Sequence, residues 1–112
     1  MSRCFLGFVT AAAFLASGWV GVGHAADLDA AKKKVSEICQ ACHGMDGNSQ
    51  VPDYPKLAGQ NQDYLAKSLR DYKSGARKDP TMNGFAGTLT PQDIDNLAAY
   101  FSSQPAVLQS RM

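Results

Sequence analysis

Cys39-Gln40-Ala41-Cys42-His43 constrains this chain more than any other stretch. On a helix, side chains three residues apart are neighbours, so the two thiols share one face. That separation suits the two vinyl groups on one edge of a haem, each of which is captured as a thioether. The histidine directly after the second thiol falls beneath the ring and gives its imidazole to the iron. C-x-x-C-H is the signature of covalent haem attachment. A short chain carrying it is built around a ligand as much as around its own side chains.

A chain of 112 residues allows one domain, and its first quarter reads as something else. Met1-Ser2-Arg3 is a short positive start, Cys4 to Val22 carries no charge, and charge resumes at Asp27 after the small residues Ala25 and Ala26. This predicts a secretory signal peptide over residues 1–26, cut after Ala25 or Ala26, and a folded domain over residues 27–112. The competing reading is a retained membrane anchor, since the apolar run could just span a bilayer. Of the eleven Lys/Arg only Arg3 precedes Asp27, and all ten Asp/Glu follow Ala26, so the domain is neutral. Nucleic-acid binding needs a concentrated basic footprint. The one run, Lys32-Lys33-Lys34, reads as a solvated helix face, so no nucleic-acid partner is expected.

Cys4 leaves with the signal peptide, and the domain keeps Cys39 and Cys42. These could close a disulfide in an oxidising compartment. A thioredoxin-like pair would want a βαβ pattern around it, and none is visible. A structural zinc site would want four ligands, whereas the domain offers two cysteines and one histidine. Haem attachment is the remaining reading.

Three helices are expected. The first runs from about Asp29 to Cys42, with Leu28, Ala31, Val35 and Ile38 as its apolar stripe and Gly44 as its stop. Residues 44–61 read as loop, broken by glycines and prolines. The second helix runs from Gln62 to Ser74, capped by Asn61 and stopped by Gly75. Its buried stripe is Leu65, Leu69 and Tyr72. Residues 76–89 read as irregular. The third helix begins at Pro91 behind the Thr90 cap, with Asp93 at its third position and Ile94, Leu97, Ala98 and Phe101 facing inward. Pro105 marks its end. So small a domain buries only about 60% of its chain surface and often needs a staple or metal; a covalently held haem supplies the missing core.

His43 is the only histidine after signal cleavage, which excludes two histidine ligands to one iron. Its other ring nitrogen should donate to a carbonyl that fixes tautomer and orientation, and Pro55, twelve residues on, is the candidate acceptor. Methionine is the soft neutral partner of histidine in electron-transfer haems. Met45 reaches at most roughly 7 Å beyond His43 and cannot round the ring, and Met112 sits at a terminus. Met82, in the segment between the second and third helices, is the expected sixth ligand. Two protein ligands leave no open coordination position, which metal catalysis generally needs. No enzyme activity is expected.

On these residues the chain resembles the small soluble bacterial class I c-type cytochromes. Cys39 to Gly44 is the attachment motif. Pro55-Lys56-Leu57-Ala58-Gly59-Gln60 resembles the segment carrying the histidine's carbonyl acceptor and a haem-packing leucine, here Leu57. Met82-Asn83-Gly84-Phe85-Ala86 resembles the methionine-ligand loop. Leu97-Ala98-Ala99-Tyr100 resembles the terminal helix that crosses the first, where small Ala31 permits close approach. The resemblance implies an all-α cytochrome c fold, three main helices and long loops around one covalent haem c. It implies a monomeric periplasmic electron shuttle, not inserted in the membrane after signal cleavage. Its redox protein partners would be a membrane cytochrome complex, an oxidase, or a periplasmic reductase or dehydrogenase. A haem subunit of a periplasmic oxidoreductase is the alternative, and a gas-binding or sensing haem a third. The strong lysine ring of some relatives is missing: Lys56, Lys67, Lys73, Arg77 and Lys78 alternate with Asp53, Asp63, Asp71 and Asp79. Steering by a large single-sign field is therefore not expected.

Overall fold

The computed structural model describes Gly18 and residues 25–107. The expected signal peptide and Met112 lie outside those residues, apart from Gly18, Ala25 and Ala26. The described residues contain helices and loops and no strand. The order is α1 (Leu28–Lys34), a π-helical turn (Val35–Cys39), α2 (Gln40–His43), α3 (Gln62–Ser74), α4 (Pro80–Gly87) and α5 (Pro91–Ser103).

Local chemistry explains most boundaries. Asp27 caps α1 by accepting from the Ala30 N–H, and Asn61 caps α3 by accepting from the Tyr64 N–H. Thr90 and Asp93 form a reciprocal capping box that opens α5, with Pro91 in the first turn. Gly75 ends α3 at φ 82°, a left-handed conformation that a Cβ disfavours.

Two elements depart from the sequence reading. The first helix is not one regular α-helix, because the Gln40 N–H bonds back to the Val35 carbonyl across a π turn. Residues 76–89 are not irregular throughout, because Asp79 caps a short helix, α4, whose first turn contains Met82. Pro80 and Gly84 suggested a break. Proline at a first helical position costs nothing, since the N–H it lacks would be unpaired there. Leu28, read as part of the inward stripe, is 46% exposed.

The core lies where α1 crosses α5 and where α3 packs on α4 and α5. Ala31 on α1 is buried at the crossing, with Val35, Ile94, Leu97, Ala98 and Phe101 around it. The buried Asn96 amide oxygen accepts from the Asp27 N–H at 2.9 Å, which pins the start of α1 to α5. Among the large side chains of the described residues, only Ile94, Leu97 and Val35 are essentially fully enclosed. That is a thin core, and Ile38, Leu57, Leu65, Leu69, Tyr72 and Phe85 turn apolar surface to a cleft.

Candidate haem site

One cleft of about 320 Å³ opens between α3, α4, α5 and the loop after α2. That falls in the roughly 300–1,000 Å³ range of small-molecule and cofactor sites. Cys39, Cys42, His43, Pro55, Leu57 and Met82, the six residues singled out from the sequence, all line it. Met45 packs against the core instead.

Each side chain arrives for a local reason. The π turn widens the helix just before the attachment motif. An i→i+5 turn holds about one residue more than an α-helical turn, so the residues beyond it lag by on the order of 100°. Cys42 and His43, which follow it, are thereby rotated relative to the α1 face that packs on α5. His43 is buried, and its Nδ1–H donates to the Pro55 carbonyl at 2.9 Å. A carbonyl only accepts, so Nδ1 carries a proton, and in the neutral ring the lone pair lies on Nε2. Tyr54 sits edge-on to the imidazole, with centroids 6.4 Å apart.

Pro55 and Leu57 are held by the turn beneath them. The Gly47 carbonyl accepts from the Leu57 N–H at 2.8 Å and from the Ala58 N–H at 3.2 Å. The Gly59 N–H then donates to the Phe101 carbonyl, tying the loop to α5. From α4, Met82 lines the same cleft, and its N–H donates to Asp79 Oδ1 at 2.9 Å.

The thiols are free and half-buried. Burial pushes the Cys39 thiol up to about 11, with Lys34 opposing the shift weakly. A thiol held protonated is a poor redox nucleophile, which argues against a dithiol oxidoreductase. Tyr64, Tyr54 and Phe85, three of the exposed large apolar side chains, all line the cleft. A flat apolar group there would cover them. Two thiols, an imidazole held through Nδ1 and a thioether, all lining one mostly apolar cleft, fit a haem. Phe85, three residues after Met82 on α4, was missed as a wall residue because the segment was not read as helical. Arg77 was read from the sequence only as one of the alternating charges around the haem edge. Its guanidinium lies 4.8 Å from the Tyr72 ring centroid and donates to Ser68 Oγ at 3.3 Å, and its nearness holds the Tyr64 phenol below its ordinary range.

The Cytochrome c family profile matches residues 28–105. The chain belongs to the cytochrome c family. It is a small bacterial c-type cytochrome with the all-α fold of that family and haem c as its cofactor. This cytochrome is 47% identical over 90 residues to cytochrome c4 of Pseudomonas aeruginosa, covering 80% of this chain and 45% of that protein. It is 42% identical over 83 residues to cytochrome c-554(548) of Halomonas halodenitrificans, covering 71% of this chain and 99% of that protein. The crystal structure of reduced recombinant cytochrome c4 from Pseudomonas stutzeri superposes with a TM-score of 0.69 at 45% identity, covering 75% of this chain and 48% of that one. The chain thus spans about half the length of its cytochrome c4 relatives. No helix among the described residues is long and apolar enough to cross a membrane.

Proposed function

We propose that this cytochrome is a periplasmic one-electron carrier, with haem attached through Cys39 and Cys42 and its iron held by His43 and Met82. The supporting observation is that one apolar cleft gathers both thiols, a buried histidine with its tautomer set, and a methionine on a separate helix. When bound, the haem iron supplies a reversible one-electron couple. The chain does the rest. The Pro55 carbonyl holds the His43 ring and keeps Nε2 free to ligate. Leu57, Leu65 and Leu69 exclude water from the cleft. With His43 and Met82 both on the metal, no position stays open for a substrate, so we assign no enzymatic reaction.

The partners we propose are redox proteins that dock at the cleft mouth. Lys56, Arg77, Asp53 and Asp79 all line the cleft, so its charge is mixed in sign. Such complexes are small and short-lived, and their rates depend only mildly on salt. We assign residues 1–26 to a cleaved signal peptide that delivers the chain to the periplasm. A second reading, a haem subunit of a larger oxidoreductase, has one observation in its favour. A chain like this one matches about half of each cytochrome c4 relative, so the same unit also occurs within longer polypeptides.

The test is mass and optical spectroscopy on protein purified from the periplasm of a host that attaches haem. One haem per chain, and a mass lacking residues 1–26 or 1–25, is expected. A colourless protein, or one recovered uncleaved in the membrane fraction, would contradict the proposal.

A further inference from the structure

We propose that Asn83 is a positioning residue that locks the Met82 segment over the cleft; the inference rests on Met82 being a ligand of the iron. Three hydrogen bonds leave this one half-buried side chain. Nδ2 donates to the Tyr72 carbonyl at 2.7 Å and to the Arg77 carbonyl at 2.8 Å. Oδ1 accepts from the Asp79 N–H at 2.9 Å. The Asn83 N–H adds a fourth bond, to the Asp79 carbonyl at 2.7 Å. Asp79 in turn holds the Met82 N–H. The amide therefore joins the last turn of α3, the connection after it and the first turn of α4 at the residue next to Met82.

The chemistry required is narrow. Tyr72 and Arg77 offer carbonyls, which only accept, and Asp79 offers an N–H, which only donates. Two donors and an acceptor on a short side chain is an asparagine amide in one orientation. Aspartate of the same shape keeps the acceptor and loses both donors, setting a carboxylate against two carbonyls. Alanine loses all three bonds and leaves the Tyr72 and Arg77 carbonyls without this donor. The lock also meets a need of the helix. At eight residues with Gly84 inside, α4 has little stability of its own, so whatever ties it to α3 decides how often Met82 swings away. A second tie, Lys73 Nζ to the Gly87 and Leu89 carbonyls, fastens the opposite end of α4. It serves as an internal comparison.

The experiment is stopped-flow binding of imidazole to the ferric holoprotein at saturating imidazole, where loss of the methionine limits the rate. Asn83→Ala and Asn83→Asp are expected to accelerate binding at least tenfold. Lys73→Ala, which loosens α4 away from Met82, is expected to change it less than threefold while still lowering the melting temperature. Wild-type rates in both Asn83 variants overturn the proposal. So does equal acceleration by Lys73→Ala, because the effect is then general destabilisation. If Asn83→Ala does not accumulate, Asn83→Ser replaces it and should give an intermediate rate; a wild-type rate again overturns the lock. Failure of the underlying ligation looks different. The wild-type ferric protein would then lack the sulfur-to-iron charge-transfer band, and Met82→Ala would bind imidazole as the wild type does.

Discussion

Gly47→Ala should be among the most damaging single-methyl additions in this chain. Gly47 sits at φ 75°, and a Cβ there would stand 2.8 Å from the Ala58 backbone nitrogen and 2.8 Å from Phe101 Cδ1. The left-handed conformation costs an L-residue roughly 1–2 kcal/mol. Forcing a methyl into packed surroundings costs about 1–3 kcal/mol more, so a loss of about 2–5 kcal/mol is expected. Neither neighbour yields easily. Ala58 N is main chain bonded to the Gly47 carbonyl, and Phe101 is buried in the core. Two other glycines separate the causes. Gly75 has φ 82° but nothing within 4 Å of the place a Cβ would take, so Gly75→Ala should lose only about 1–2 kcal/mol. Gly84 is helical with open space around it, and Gly84→Ala should gain about 0.5–1 kcal/mol. Urea unfolding of the three holoproteins, followed by far-ultraviolet circular dichroism, gives the order. Gly47→Ala losing no more than Gly75→Ala would refute the close-approach reasoning. Because Gly47 carries the segment that presents Pro55 to His43, its variant should also show a perturbed haem spectrum.

Met82→Ala should give a high-spin or ligand-exchanged haem with a lower potential and new affinity for carbon monoxide; spectroelectrochemistry checks this, and an unchanged potential contradicts the ligand assignment. Cys39→Ser with Cys42→Ser should leave a largely unfolded or degraded chain, since the core is thin without the haem; dispersed amide resonances from the double mutant would contradict it. Hydrogen bonds from the Asn48 backbone N–H and side chain hold the Asp46 carboxyl below its ordinary value. Its folded-state pKa is depressed, so its contribution is present above the ordinary carboxylate pKa near about 4 and is lost as pH falls through the folded value. Asp46→Asn should therefore weaken the acid dependence of stability below about pH 4, measured as melting temperature against pH; an identical profile in both proteins counts against it.

The sequence was most informative where chemistry is local. Asn61, Thr90 and Gly75 mark helix ends through their own side chains or their lack of one, and α3 and α5 begin and end beside them. The attachment pentapeptide likewise carries its geometry within five residues. The π turn was invisible, because Val35-Ser36-Glu37-Ile38-Cys39 shows nothing that a regular helix would not. Its cause is tertiary: one face must pack on α5 and a differently directed face must line the cleft. The short helix α4 was hidden for a related reason. Gly84 and Gly87 weaken it locally, and it forms because Asn83 and Lys73 fasten it to α3 and the segment beyond. Leu28 shows the opposite failure, an apolar residue in register with a buried stripe that the fold leaves exposed at the first position of α1. Arg77 and Tyr64 meet only once α3 ends and the chain turns back, so no spacing rule pairs them.

The claim beneath all of this is that His43 and Met82 close both faces of one iron. The most direct measurement is the near-infrared absorption of the ferric wild-type protein, read beside the ferrous spectrum under carbon monoxide. A sulfur-to-iron charge-transfer band that vanishes in Met82→Ala, with a ferrous wild-type spectrum indifferent to the gas, is the expected result. A wild-type protein without that band, whose reduced form takes up carbon monoxide at once, would contradict the account.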